Sequence, residues 1–273
     1  MIRVLESLEP FLVAAPWHRD LLDHEPLGIA IPPRNVIDPT RVESADFLRR
    51  LGVLDKLTFG PEGMPMAAWI FYHAAEVPGA IMGFAHRVET LPEALARRLE
   101  LGPGDRGLVP LSMYIAIPAR APGTWIGHNL ASLNRLLPEL GLHGLARTTK
   151  AVALKAFRCR RQIGAVQWDS PALHVHTRFG ALDLLSAWTP AHSEPATLVY
   201  SWDVSDGALR SAMGAGAPRP RPAHDLEITV GDEGAMRTLQ ARIESGERFV
   251  LPGPPGRAGS GAVTVPVARR RAG

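Results

Sequence analysis

The chain predicts an α+β fold: one curled antiparallel β-sheet, barrel- or cone-like, with helices packed outside it. Three observations carry that reading. Short apolar runs of strand length follow one another from Gln162 to Val204 with turn-type links between them. A hairpin pattern occupies Leu111 to Ile117 and Thr124 to Leu130, around the turn Pro118 to Gly123. Helical spacing of apolar residues appears between the strand runs, not inside them. Consecutive short strands argue for a sheet that curls on itself.

Composition sets the bounds. The 273 residues suffice for one large domain or two small ones, and 46% hydrophobic content is ordinary for a globular protein. No run of ~18 uncharged apolar residues occurs, so no membrane span is expected. Glu6 and Glu9 interrupt the first apolar stretch, which argues against a secretory signal. The single cysteine, Cys159, allows no internal disulfide and fits a reducing, cytoplasmic compartment of bacterial type. The net charge of +3 comes almost wholly from dispersed arginine, since Lys56, Lys150 and Lys155 are the only lysines; this argues against nucleic acid as a partner.

In chain order, the proline-rich residues 1 to 39 are limited to short pieces, with Leu27, Ile29 and Ile31 alternating in an extended segment. Thr40 and Glu43 have capping-box spacing ahead of a helix carrying Phe47, Leu48 and Leu51. Met66 to Glu76, rich in aromatics, reads as a strand that continues through Ile81 to His86 after a bend. A three-turn helix follows at residues 91 to 102, then the hairpin, then a helical pattern over Leu133 to Arg161 that breaks near Pro138 and Gly141. Strands are expected at Gln162 to Trp168, Ala172 to Phe179, Ala181 to Trp188 and Thr197 to Val204. The main domain is therefore placed at 1–205, a Gly- and Pro-rich linker or long loop at 206–223, and an extension at 224–273. That extension holds a strand at Asp225 to Val230, a helix at Ala235 to Ile243 and a largely irregular end.

The pattern richest in chemistry is His174, Val175, His176, Thr177, Arg178. Strand alternation puts His174, His176 and Arg178 on one face. Lining a cavity, that face is a cationic wall suited to a carboxylate or enolate; facing water, it is the wet side of a half-buried strand. His192 and Glu194 could complete a metal site with His174 and His176, but Arg178 on the same face opposes a cation. His128 and Asn129 follow Gly127 at the hairpin exit, where Ser132 could cap a helix starting near Leu133. Glu76, ending an apolar run, could be a carboxylate with a raised pKa suited to proton transfer. No P-loop, dinucleotide fingerprint, nucleophile elbow or zinc-protease motif is present.

The succession MAAWIFYHAAEVPG, LSMYIAIPARAPGTWIGHNLASLN and RRQIGAVQWDSPALHVHTRF resembles the strand order of the acetoacetate decarboxylase-like superfamily. The matching pieces are Met113-Tyr114, Gly127 to Leu130 and Ile163 to Thr177, within Met66 to Val204. The resemblance implies a closed or conical β architecture with a central cavity for a small organic acid or carbonyl compound. It does not carry over the Schiff-base chemistry of decarboxylating members, because no lysine follows Lys155. The expected function is therefore small-molecule binding with lyase- or isomerase-type acid–base chemistry and no cofactor. Glu76, His128 and His176 would be catalytic, and Asn129, His174 and Arg178 would bind substrate. The rivals are a non-catalytic ligand-binding or interaction protein and a mononuclear metal enzyme; a homo-oligomer is left open.

Overall fold

The computed structural model describes residues 5–76, 79–214, 223–259 and 261–270. The chain divides into two compact units, Met1–Cys159 and Arg160–Gly273.

The first unit is built on β1 (Glu9–Val13), β2 (Val36–Ile37), β3 (Ala80–Arg87), β4 (Leu108–Pro118) and β5 (Thr124–Ser132). Their order is β2-β1-β3-β4-β5; β2 runs parallel to β1 and the other pairs are antiparallel. Helix α1 (Ala45–Phe59) buries Leu48, Leu51 and Leu54, spaced three apart along one face. It begins after Ser44, because Thr40 spends its hydroxyl on Asp38 (2.7 Å) and caps nothing. Helices α2 (Trp69–Glu76), α3 (Glu93–Arg98) and α4 (Leu145–Ala156) complete the unit. Strands β3 and β4 approach so closely that a Cβ on Gly83 would lie 1.9 Å from the Ser112 carbonyl oxygen, so only glycine fits there.

The second unit carries β6 (Arg161–Gln167), β7 (Leu182–Ser186), β8 (Thr197–Asp203), β9 (Leu226–Thr229), β10 (Phe249–Leu251), β11 (Gly256–Arg257) and β12 (Val263–Arg269). Its antiparallel order is β6-β8-β7-β10-β12, with β9 and β11 also paired to β12. Three helices accompany it: α5 (Ala172–His176), α6 (Asp206–Met213) and α7 (Glu233–Glu244). Ser205 and Asp232 cap α6 and α7 by accepting from Ala208 and Ala235. Among the described residues no helix is long and apolar enough to cross a membrane.

Among the described residues the strands do not close on themselves, so the barrel or cone is corrected to an open mixed sheet with helices. Three local expectations change with it. Met66 to Glu76 is not a strand: within α2 the rings of Trp69 and His73 meet edge-on at 5.1 Å, the i,i+4 contact of a helix. Ala172 to Phe179 is not one either. Pro171 precedes the first turn of α5, Ser170 Oγ accepts from the Ala172 amide (3.2 Å), and Thr177 donates back to the Leu173 carbonyl (2.8 Å). Finally, the chain end is ordered into β10, β11 and β12, whose Val265 and Val267 are fully buried.

Candidate functional site

Register locates the site. Ile126 of β5 pairs with Ile117, and Asn129 pairs with Ile115. Ile117 and Ile115 are two apart and share a face, yet Ile126 and Asn129 are three apart. Strand β5 therefore holds one extra residue between them, a β-bulge at His128, since Gly127 keeps its partner Ala116. The bulge shifts the alternation so that Asn129 faces α1, and it leaves His128 exposed to solvent.

Opposite the bulge stands Asp55 of α1, 1% exposed. Its Oδ1 accepts from Asn129 Nδ2 at 2.7 Å, and its Oδ2 accepts from the Met66 amide at 2.6 Å. Asn129 Nδ2 also lies 3.6 Å from Met66 Sδ. Burial raises the Asp55 pKa above the usual aspartate range, against the opposing pull of the Met66 amide, Asn129 and the charge of His128. The result is a carboxyl held in place by two donors, dry on the α1 side, beside a histidine that solvent reaches.

The other face of the same sheet is different in kind. There α4 packs on Ser112 and Tyr114: Thr149 and Ser112 share a hydrogen bond of 2.6 Å, and Phe157 just beyond α4 stacks on Tyr114 at 6.4 Å. Lys150 of α4 is wholly buried, and desolvation pushes its amine well below the usual lysine range, partly opposed by Cys159. Asp55 and Lys150 thus belong to opposite faces.

The six residues singled out from the sequence do not converge. His128 and Asn129 come together with Asp55. Glu76 ends α2, and its side chain lies outside the described residues. His174, His176 and Arg178 belong to the second unit, the first two on α5. In a helix, positions two apart point ~200° away from each other, so His174 is exposed while His176 is 7% exposed. The common cationic face expected of a strand does not form. His176 instead lies against Tyr200, ring centres 5.3 Å apart. Burial pushes the Tyr200 phenol up, Gln162 Nε2 donates to it at 3.5 Å, and Trp202 Nε1 donates to Gln162 Oε1 at 2.6 Å. A Cβ at Gly164 would meet the Tyr200 hydroxyl at 2.5 Å, so glycine makes the room for it. These groups form a satisfied core network.

Among the described residues no group of three or more His, Cys, Asp or Glu is placed to hold a metal ion, which corrects the reading built on His174, His176, His192 and Glu194. His192 Nδ1 accepts from the Glu194 amide at 3.0 Å in its own loop. An open cavity of about 270 Å³ lies in the second unit among Asp225, Leu226, Arg242, Phe249 and Arg269; both arginines are paired with Glu247.

Asp55 was missed. Its signal was present: it lies four residues after Leu51 and seven after Leu48, a carboxylate within the apolar stripe of α1.

No family model matches the chain, and no curated protein matches it. Solved structures give fold-level likenesses. The chain is similar to a component of the NatC complex bound to Gag peptide and CoA, at 12% identity and TM-score 0.41, covering 62% of this chain and 97% of that one. It is similar to aminoglycoside 6'-acetyltransferase type Ii at 11% identity and TM-score 0.39, covering 61% and 94%. It is also similar to an acetyltransferase of the GNAT family from Desulfovibrio desulfuricans at 13% identity and TM-score 0.37, covering 58% and 96%. Likenesses of this strength transfer no activity. The resemblance to the acetoacetate decarboxylase-like superfamily is nonetheless corrected: the open sheet lacks the cone that resemblance implied. The lyase or isomerase reading relied on a barrel cavity and falls with it; its rival, a non-catalytic ligand-binding or interaction protein using the same residues, is not favoured either, because those residues belong to different units.

Proposed function

We propose that the Asp55–Asn129–His128 group is the proton-transfer centre of an enzyme that moves an acyl group onto an amine or hydroxyl nucleophile. One observation carries the reading: a buried carboxyl with raised pKa, fixed by two donors, stands beside a solvent-reachable histidine presented by a β-bulge. A nucleophile of this kind must lose a proton as it attacks a carbonyl carbon. His128 takes that proton, and the Asp55 carboxylate stabilises the imidazolium that results. Asn129 is a positioning residue that holds the Asp55 oxygen in line. As the new bond forms, the bond from the carbonyl carbon to the donor's leaving group breaks.

The likeness to acetyltransferases serves only to order the donors tried, with acetyl-CoA first. Free thiol release from acetyl-CoA is measured across a panel of primary amines and alcohols. The expected result is amine- or alcohol-dependent release that falls about 10²- to 10⁴-fold in His128→Ala, with unchanged circular dichroism. Release that is equal in wild type and His128→Ala, or absent with every thioester donor tried, sinks the assignment.

A further inference from the structure

Residues Pro16–Leu21 form a 3-10 turn that leads into a segment docked on the end of α4. The docking is made by the backbone and one side chain: the Asp23 amide donates to the Ala156 carbonyl at 2.7 Å and Arg158 Nη2 reaches the Leu22 carbonyl at 3.5 Å, while the Leu22 amide closes the turn on the Arg19 carbonyl at 3.0 Å. In the middle of the turn, His18 is 7% exposed, while its neighbour Trp17 is 65% exposed and meets the His18 ring edge-on at 6.4 Å.

Neither ring nitrogen of His18 has a hydrogen-bond partner of good geometry. A buried imidazole so placed is tolerable while neutral and costly once charged. We propose that His18 is an acid-sensitive latch: protonation of its ring expels it from the core and undocks residues 16–22 from the end of α4.

The surroundings favour this. Arg19, next in the chain, donates to the Ala14 carbonyl at 3.0 Å and pairs with Asp38 at 3.6 Å, so its fixed positive charge opposes a second one on His18. Asp38 is shared with Arg41 at 3.4 Å, and Arg19, Arg41 and Thr40 hold its carboxyl below the usual range, so it stays ionised and committed. Arg158, just beyond α4, brings a further positive charge to the Leu22 carbonyl of the same segment. The backbone of Gly79, just ahead of β3, gives the ring some support for a proton, but desolvation outweighs it and lowers the His18 pKa. His24, whose Nε2 lies 3.2 Å from the Arg19 carbonyl, is the other titratable ring of the segment, and it is exposed.

The sign follows from linkage. The open state, with an ordinary histidine, binds the proton at higher pH than the closed state does. The latch is therefore most tightly closed above about pH 6.5 and loosens as pH falls from there toward the lowered value, by up to tenfold in the open population per pH unit. Hydrogen exchange of the peptide spanning residues 16–23, corrected for the intrinsic rate, reads this between pH 7.5 and pH 5.5. Wild type and His24→Gln should each open more at pH 5.5, by up to about tenfold, and His18→Phe should show no pH response. His18→Gln, which cannot titrate, should be equally pH-independent and covers the case in which the larger ring fails to pack. Unchanged protection in wild type overturns the proposal, as does the same pH response in either His18 variant.

Discussion

The two faces of the first sheet each bury an ionisable group, and they do so to opposite ends. On the α1 face, Asp55 is fixed by Asn129 and Met66 and lies beside exposed His128. On the α4 face, Lys150 is wholly buried, with Cys159 interacting with its amine. Both groups are shifted toward their neutral forms by desolvation. The difference is access. A perturbed group can exchange protons with a substrate only where solvent and ligand reach its neighbours, and the bulge at His128 provides that on one face alone.

The largest expected effect separates the faces by activity. Asp55→Asn should lower turnover by about 10²-fold or more, while Lys150→Met leaves it within about twofold, both measured as kcat/KM in the thiol-release assay. Equal losses would erase the distinction. Next comes stability at Lys150. A buried amine with a lowered pKa costs stability below the unfolded value, and the cost is relieved as pH rises toward about 10.5. Urea unfolding should show Lys150→Met more stable than wild type at pH 7 by roughly 1–3 kcal/mol, with the gap closing at pH 10.

Asp55 carries the mirrored sign. Its raised pKa means that the carboxylate costs stability above the unfolded value near 3.9 and that the cost is relieved as pH falls through the folded value. Asp55→Asn should therefore be neutral or stabilising by about 1 kcal/mol at pH 7, even as activity is lost. A loss of 3 kcal/mol would recast Asp55 as a structural anchor. The smallest effect belongs to the sheet's far side. Arg87, Asn35 and Arg34 hold Glu9 at a pKa of about 2. That stabilisation is present above about pH 4.5 and is lost as pH falls through about 2. Because Arg87 is well exposed, Glu9→Gln should cost only about 1 kcal/mol at pH 7, read as a shift in the urea midpoint.

Much of the scaffold was legible. The hairpin was marked by prolines and glycine between two apolar runs, and α4 by its stripe of Leu145, Val152 and Ala156. Helix α7 was marked by its 3.6-residue period. Short segments were not. In α2, residues 69 to 73 satisfy strand alternation and helical spacing alike, and only the Trp69–His73 contact decides between them. In α5, a five-residue helix is too short to show a period, so Ser170 and Pro171 ahead of it held more information than its alternating histidines. His128 and Asn129 drew notice for their polar character, but their partner did not, because pairing β5 with α1 is a tertiary fact separated by 74 positions.

The proposed proton-transfer centre depends most on Asp55 being an acid perturbed by burial beside a reachable histidine. A carbon-13 NMR titration of its side-chain carboxyl, assigned by difference with Asp55→Asn, measures that directly. The account predicts a midpoint clearly above the ordinary value of about 3.9, and a further rise in His128→Ala, where the imidazole's charge no longer favours the carboxylate. A midpoint at or below the ordinary value, unmoved by His128→Ala, would contradict it.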